Sequence, residues 1–300
     1  MWGLLAICIL AWFVSPRFLS IPFLLILLRQ AAVLGIVALG QTFCVVNRSL
    51  DLSVGATIAL VNIVITDRYW SDTHAAIIIL VGLAVGTAIG VLNGLLVTFL
   101  RASAVVITLG TASVLTGVGY LVSGGAPGNA VHPFIKWLGR GRFETIPVSG
   151  IIWLAFAIVG FIILRKLVVG RHIYAVGDNP SAARYSGIPT NKVLLFSHIF
   201  CGFSAGLAGI LLTGLIGVGA LNLGSDYILS SIAAVILGGA VFGGGAGGAI
   251  GSVFGAALLI MTMNLLTVFG IDQPGKLIVQ GLVIVIAAGL YQHSSKTATT

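Results

Sequence analysis

Charged residues are scarce in this sequence. Only 7% of its 300 residues are charged and 58% are hydrophobic, whereas about a quarter of the residues in an ordinary soluble domain are charged. Several apolar runs approach or exceed the roughly 20 residues that a helix needs to cross a membrane. These runs do not alternate between apolar and polar residues, as the strands of an outer-membrane barrel do. The composition therefore predicts an all-α, polytopic integral membrane protein.

Motifs that would indicate an enzyme are also missing. The chain contains no G-x-x-x-x-G-K-[ST] run for binding ATP. It offers no nucleophile with a matching base and no metal cluster, as a membrane-embedded enzyme would need. Its cysteines lie inside apolar segments and are expected to pack as small hydrophobic residues; they are Cys8, Cys44 and Cys201. We therefore expect no catalytic residue, no metal site and no cofactor bound by this chain.

The net charge of +8 does not indicate a nucleic-acid partner. The basic residues are scattered over short loops and have no aromatic platform beside them. The simpler interpretation is that these loops face the anionic lipids of a membrane surface.

About ten candidate spans form one transmembrane domain over residues 1–300. Several are short or interrupted by glycine, which is typical of the broken helices that pack inside transporter bundles. The second span has a possible early start at Pro22, because proline suits a first helical turn. The spans cover about 2–14, 31–46, 52–66, 75–99, 104–123, 150–164, 193–218, 228–242, 247–269 and 276–291.

Lysine and arginine give a weak indication of orientation, because they collect in cytoplasmic loops. The loop 165–192 carries Arg165, Lys166, Arg171, Arg184 and Lys192, and the loop 124–149 carries Lys136, Arg140 and Arg142. We therefore place residues 165–192 and both termini in the cytoplasm. In the outer loop, a short amphipathic element is predicted to lie in the membrane interface, with Phe134, Trp137 and Leu138 toward lipid or protein.

Glycine recurs every four residues at Gly247, Gly251 and Gly255. This spacing predicts a flat strip on one helix, against which a neighbouring backbone can pack closely.

The most basic loop contains a short helix with clear ends, in GDNPSAARYSGIP at 177–189. Asp178 or Asn179 can cap it, and Pro180 suits its first position. Gly187 can adopt the left-handed conformation that ends a helix, and Pro189 prevents continuation. A helix of about seven residues is roughly 10 Å long, too short to be stable alone in water. It must rest on its own bundle or on another protein.

Four ordered blocks give the chain a resemblance to a known family. They are LDLSVGA at 50–56, VITLGTASVLTGVGYLVSGGAP at 106–127, GRHIYAVGDNPSAARYSGI at 170–188 and SIAAVILGGAVFGGGAGGAIGSVFGA at 231–256. With these blocks, residues 3 to about 291 resemble the inner-membrane permease subunits of ribose-type ATP-binding-cassette (ABC) importers, in the branched-chain/ribose permease superfamily.

The resemblance implies a permease for a sugar or sugar-like solute in the bacterial inner membrane. The implied partners are an ABC ATPase subunit that binds ATP and Mg²⁺, a periplasmic substrate-binding protein, and a second permease copy or paralogue. The loop 165–192 is implied to be the cytoplasmic coupling loop that docks into the ATPase. The residues implied to shape that contact are Gly177, Asn179, Pro180, Ala182, Ala183 and Gly187.

The chain departs from the family pattern just before Asp51. The family usually has a glycine pair in "GGIDLSVG", whereas this chain reads "NRSLDLSVG", with Asn47, Arg48 and Ser49 where flexible backbone is expected.

Polar residues within the spans are candidates for the solute path. Asp51 lies between two apolar spans, where an ionisable group indicates function; the alternative is a helix cap for the span from Leu52 onward, paired with Arg48. The other candidates are Asn47, Asn93 and Asn264. Weak, distributed hydrogen bonds would suit a neutral polyhydroxylated solute that must be released. Hydrogen bonds between helices are the alternative use of these residues.

An ion-coupled secondary transporter is the alternative function. That class commonly buries carboxylates or histidines at mid-membrane, whereas His198 is interpreted here as a packing residue. The acidic residues other than Asp51 are predicted in loops or at span ends: Asp67, Asp72, Glu144, Asp178, Asp226 and Asp272. The importer is therefore the favoured hypothesis.

Overall fold

The computed structural model describes Phe18, residues 20–66, Trp70 and residues 73–297, with side chains as far as residue 286. The predicted span 2–14, Cys8, Asp67 and Asp72 lie outside the described residues. The helices are α1 (Ile21–Val46), α2 (Val54–Ile65), α3 (Ala75–Leu100), α4 (Ala104–Ser123), α5 (Pro133–Arg140), α6 (Val148–Lys166), α7 (Val168–Asp178), α8 (Pro180–Tyr185), α9 (Thr190–Ile216), α10 (Ser225–Leu237), α11 (Ala249–Val268) and α12 (Gln273–Thr297). The strands β1 (Arg142–Phe143) and β2 (Ile146–Pro147) form a hairpin between α5 and α6.

Within the described part of the chain, six helices are long and apolar enough to cross a membrane: α1, α3, α4, α6, α9 and α11. Shorter apolar helices are α2, α10 and the first part of α12. Many outward side chains are apolar, such as Phe99 on α3 and Leu121 on α4, which are 78% and 84% exposed. Apolar side chains on the outside suit helices that face lipid. The chain is a multi-pass α-helical membrane protein, as the composition predicts.

Helices α1 and α9 lie at the centre of the bundle. On α1, every residue from Ala31 to Val46 is buried. Glycines bring α3 and α9 into backbone contact, since a Cβ at Gly86 would lie 2.5 Å from the carbonyl oxygen of Gly202. The two helices are antiparallel, because Gly94 packs beside His198 while Gly82 packs beside Ile210. Small residues at such crossings allow the close packing that holds membrane helices together.

The bundle has two ends, defined by the short helices at each end of α9. At the α8 end, α8 leads into Thr190, and Gly177 contacts the carbonyl oxygen of Val46. At the α5 end, Gly139 of α5 packs on the last turns of α9, and Arg29 of α1 donates a hydrogen bond to the carbonyl oxygen of Arg140. The 27 residues of α9 separate these ends by about 40 Å.

Helices α2 and α10 are half-length and begin beside each other inside the bundle. Gly55 in the first turn of α2 is packed against Gly224, the residue before α10. Helix α2 runs from there to the α5 end, where Asn62 bonds to Thr213, and α10 runs to the α8 end. The positive ends of both helix dipoles therefore lie together in the interior, the arrangement of discontinuous helices in many transporters.

Helix α5 corresponds to the predicted amphipathic element. Ile135 is buried, whereas Phe134 and Trp137 are 42% and 44% exposed, with their rings stacked 5.4 Å apart. Leu138 packs against the core. The element therefore has one face on the bundle and one aromatic face turned outward.

Candidate transport pathway and coupling surface

A buried polar cluster surrounds Asp51, in the segment that joins α1 to α2. The Asp51 side chain is 1% exposed, and its Oδ1 accepts hydrogen bonds from the Ser53 amide at 2.9 Å and the Ser53 hydroxyl at 2.6 Å. Asn93 Nδ2 of α3 lies 3.4 Å from both carboxylate oxygens. His198 Nδ1 of α9 lies 3.6 Å from Oδ2. The cluster therefore joins three helices around one carboxylate.

One of the two roles predicted for Asp51, a helix cap paired with Arg48, is wrong, whereas its place in the solute path stays a prediction. Helix α2 begins at Val54 with Ser53 as the N-cap, so Asp51 does not cap a helix starting at Leu52. Arg48 does not pair with Asp51 either, because its guanidinium donates to the carbonyl oxygens of Gly177 and Asp178 at the end of α7. The carboxylate instead fixes the turn before α2 through its bonds to Ser53.

Asn47 and Asn93 are close to this cluster and have unused acceptors. Asn47 Nδ2 donates to Ser197 Oγ at 3.2 Å, and Asn93 Nδ2 donates to Ser53 Oγ at 2.7 Å. The Oδ1 atoms of both amides are buried and have no hydrogen-bond partner among the described residues. A buried acceptor without a donor is costly, so each of these atoms has room for one further hydrogen bond.

Asn264 is not part of this cluster. It lines a cavity of about 490 Å³ between α1, α10, α11 and α12. Asn264 Nδ2 donates to Gln30 Oε1 at 2.8 Å, and Gln280 Nε2 donates to Ser230 Oγ at 3.1 Å. Gln280 is 6% exposed and its Oε1 has no partner among the described residues. The helical rise places Gln30 about 24 Å from Val46. The cavity therefore lies in the half of the bundle away from α8.

The lining of this cavity is mixed but rich in hydrogen-bonding groups. Its polar residues are Gln30, Asp226, Tyr227, Ser230, Asn264, Thr267, Gln273, Lys276 and Gln280. At the exposed side, Gln273 Nε2 donates to Asp226 Oδ2 at 3.2 Å. Amides, hydroxyls and one carboxylate at this density can exchange hydrogen bonds with several hydroxyl groups of a small solute.

Helix α8 has the ends that its sequence predicts. Asn179 Oδ1 accepts hydrogen bonds from the amides of Ser181 and Ala182 at 3.1 and 3.0 Å. Gly187 has φ +80°, and the amide of Ile188 donates to the carbonyl oxygen of Ala183 at 3.0 Å. These bonds are those of an N-cap and a Schellman C-terminus. They hold a helix of six residues.

The residues predicted to shape the contact with an ATPase fall into an exposed group and a buried group. Asn179, Pro180, Ala182 and Gly187 are exposed, but Ala183 is 5% exposed and belongs to the core of this chain. Gly177 is also buried, because the end of α7 packs directly on the Val46 carbonyl group and the Gly245 amide. The role of Ala183 and Gly177 in shaping the ATPase contact stays a prediction, and their burial limits that role to fixing the position of α8 from inside this chain. Tyr185, which is 92% exposed, lies on the outer face instead.

Comparisons with known proteins show the family to which the chain belongs. The family profile described as "Branched-chain amino acid transport system / permease component" matches residues 23–288. The chain belongs to this permease family. It is 33% identical over 295 residues to the ribose import permease protein of Bacillus subtilis, covering 98% of this chain and 92% of that protein.

Two further relatives come from Escherichia coli K12. The ribose import permease protein is 34% identical over 281 residues, covering 91% of this chain and 86% of that protein. The galactose/methyl galactoside import permease protein is 32% identical over 310 residues, covering 96% and 90%. No solved structure matches the chain. The permease is thus similar over nearly its whole length to import permeases, and its function is that of a transmembrane permease subunit of an importer.

The predicted glycine strip of the permease is shorter than its sequence spacing indicates. A Cβ at Gly251 or Gly255 would overlap the carbonyl oxygen of Gly238 or Ala234, so these glycines bring α11 against α10. Gly247 is not on the helix, because α11 begins at Ala249 and Gly247 has φ +126°. A left-handed glycine cannot continue a helical strip, and the placement of Gly247 is corrected accordingly.

Several residues of these sites were not predicted from the sequence. His198 was interpreted as a packing residue but faces Asp51, and Gln30 and Gln280 were not considered although they line the cavity. A polar side chain inside an apolar span was the available signal in each case. Among the described residues, no group of three or more His, Cys, Asp or Glu side chains could hold a metal ion.

Proposed function

We propose that this permease carries a sugar or sugar-like solute across the bacterial inner membrane as part of an ABC importer. A separate ATPase subunit, which binds ATP and Mg²⁺, drives it from the α8 end. That end and both termini face the cytoplasm. A periplasmic binding protein delivers the solute at the α5 end, and a second permease copy or a paralogue completes the assembly.

The observation that carries this proposal is the exposed outer face of α8. Six residues cannot hold a helix in water without a partner surface, and only Ala183 of α8 is buried in this chain. The outer face presents Ala182 and a Tyr185 that is 92% exposed. A small residue beside a large aromatic one is suited to insertion into a groove, and aromatic residues are enriched at the centres of interfaces.

The chemistry of the cavity supports the solute class. The names of the relatives refer to ribose and to galactose, which are neutral and carry many hydroxyl groups. The cavity offers the free Oε1 of Gln280 and the amide pair of Asn264 and Gln30. Each hydroxyl group of such a solute can both donate and accept, so these groups suit it.

Docking is tested by exchanging exposed residues at the two ends of the bundle. We expect Ala182→Glu and Tyr185→Glu to reduce the amount of ATPase that co-purifies with the permease, because each places a charge in the contact. Lys136→Glu on α5 is the control, since Lys136 is exposed at the opposite end. Recovery of the ATPase by both α8 variants at the wild-type level would contradict docking through α8. Ala183→Glu is unsuitable, because this residue is buried.

The solute class is tested by uptake into proteoliposomes that contain the assembled importer. The probes are D-ribose and D-galactose, with leucine as the competing solute because of the family description. We expect sugar uptake that depends on ATP, and we expect Gln280→Leu to reduce it while Thr262→Val, on α11 but outside the cavity lining, does not. Uptake of leucine alone would overturn the solute class.

The comparisons support the importer, and one observation favours the alternative, a secondary transporter: the buried contact between Asp51 and His198. Ionisable pairs inside a membrane often relay ions or protons. The same proteoliposomes decide between the two. Uptake driven by a proton or sodium gradient in the absence of the ATPase would favour this candidate over the importer.

A further inference from the structure

Arg48 has a backbone conformation that is unusual for its residue type. Its φ is +56°, in the left-handed region that favours glycine because a side chain there crowds the backbone. An arginine at this position therefore needs a compensating interaction. We expect the contacts of the Arg48 side chain to offset the strain of its backbone.

The side chain of Arg48 binds the point where α7 ends and α8 begins. Its Nε donates to the carbonyl oxygen of Gly177 at 2.5 Å, and one terminal nitrogen donates to the carbonyl oxygen of Asp178 at 2.6 Å. The last carbonyl groups of a helix lack helical partners and carry partial negative charge, so a guanidinium is a favourable ligand for them. The next residue is Asn179, which caps α8.

The backbone around Arg48 is tied to the interior of the bundle. Asn47 Nδ2 donates to Ser197 Oγ at 3.2 Å, and Ser49 Oγ lies 2.9 Å from His198 Nε2. His198 faces the Asp51 carboxylate from its other ring nitrogen. Residues 47–53, called here the 47–53 segment, thus connect the α7–α8 junction to the buried cluster.

We propose that Arg48 is a positioning residue that transmits displacement of α8 to the Asp51 cluster. This inference rests on the proposed docking of an ATPase at α8. When α8 moves, the two carbonyl groups move with it, and the guanidinium that spans them carries the 47–53 segment along. Arg48 is exposed to solvent, so its two hydrogen bonds to these carbonyl groups, called here the link, can break and form again without burying a charge.

The test compares Arg48→Gly, Arg48→Lys and the wild type in the assembled importer. Glycine relieves the backbone conformation while removing the link, so this variant is expected to fold and to bind the ATPase. Lysine keeps the charge but lacks the planar fork that spans two acceptors. Arg171→Ala is the matched control, because Arg171 is an exposed basic residue of α7 whose side chain makes no hydrogen bond among the described residues.

Hydrogen–deuterium exchange measures whether a change at α8 reaches the 47–53 segment, and this measurement does not need the solute. In the wild type, adding a non-hydrolysable ATP analogue is expected to change the exchange of both residues 180–187 and residues 47–53. In Arg48→Gly, residues 180–187 should still respond and residues 47–53 should not. ATP-driven sugar uptake should fall at least about tenfold in this variant, because two charged hydrogen bonds are lost and one alone corresponds to a factor of about ten. Arg48→Lys should be intermediate.

Each outcome is decisive. An equal response of residues 47–53 in the wild type and in Arg48→Gly overturns the proposal. Loss of ATPase binding in Arg48→Gly also overturns it, because Arg48 would then belong to the docking surface. A large fall in thermal stability, with uptake lost in proportion, assigns Arg48 a purely structural role. Failure of the wild type to bind any ATPase refutes the proposed function instead.

Discussion

Substitution of Asp51 should separate its structural contribution from its part in the solute path. Asp51→Asn keeps the size of the side chain and an oxygen that can accept from the Ser53 amide and hydroxyl group. It removes the charge that faces His198. Asp51→Ala removes every acceptor and leaves the donors of Ser53 and Asn93 buried. The two variants should therefore differ strongly.

The structure gives the size of these effects. Asp51→Ala leaves the buried amide and hydroxyl donors of Ser53 without an acceptor, at about 1–3 kcal/mol each, so it should reduce the free energy of unfolding by about 2–6 kcal/mol. In Asp51→Asn both bonds from Ser53 survive in their weaker neutral form, at about 1 kcal/mol each. We expect a loss of about 1–2 kcal/mol for this variant. It should assemble with the ATPase normally, with sugar uptake reduced.

A double-mutant cycle with His198→Gln measures the contact directly. The free energy of unfolding is measured in mixed detergent micelles for the wild type, Asp51→Asn, His198→Gln and the double variant. Side chains 3.6 Å apart should show a coupling of about 1–3 kcal/mol. A coupling below about 0.5 kcal/mol would refute the assignment of His198 as the partner of Asp51. Unchanged uptake by Asp51→Asn would show that the carboxylate has only a structural role.

Three further predictions concern glycines and the cap of α8. Gly251→Leu should lower the midpoint of thermal unfolding in detergent, because overpacking against Gly238 costs about 1–3 kcal/mol or more; Gly281→Leu, at a position with nothing within 4 Å, should not. Asn179→Ala should cost about 1 kcal/mol of helix stability and reduce ATPase recovery, and Asn179→Asp should preserve both. Gly187→Ala should weaken ATPase binding through backbone strain of about 1–2 kcal/mol, since a methyl group there meets no neighbour; normal binding would contradict this.

The sequence predicts individual elements well where the signal is local. The span predicted at 104–123 coincides with α4, and the one at 75–99 differs from α3 by a residue. The predicted span 228–242 is less accurate, because α10 ends at Leu237 and Gly239 has φ +85°. Apolar composition continues past that point, so hydropathy alone could not locate the end.

The hairpin of β1 and β2 and the helix α7 were not predicted as elements. The loop 165–192 contains α7, of 11 residues, which is too polar to be recognised as a span and too apolar to be recognised as a loop. The hairpin has two residues in each strand, below the length at which alternation can be detected. Short elements at a membrane surface are fixed by packing on the bundle.

The sequence by itself determined that this protein lies in a membrane, which class of fold it has and where α8 begins and ends. Each of these depends on composition or on residues within one helical turn of each other. Only the tertiary structure decided which polar groups meet. Ser49 and His198 are 149 residues apart, and Arg48 reaches a carbonyl group 130 residues away. Such pairings depend on how helices cross, which is set by packing over the whole bundle and leaves no periodic signal in the chain.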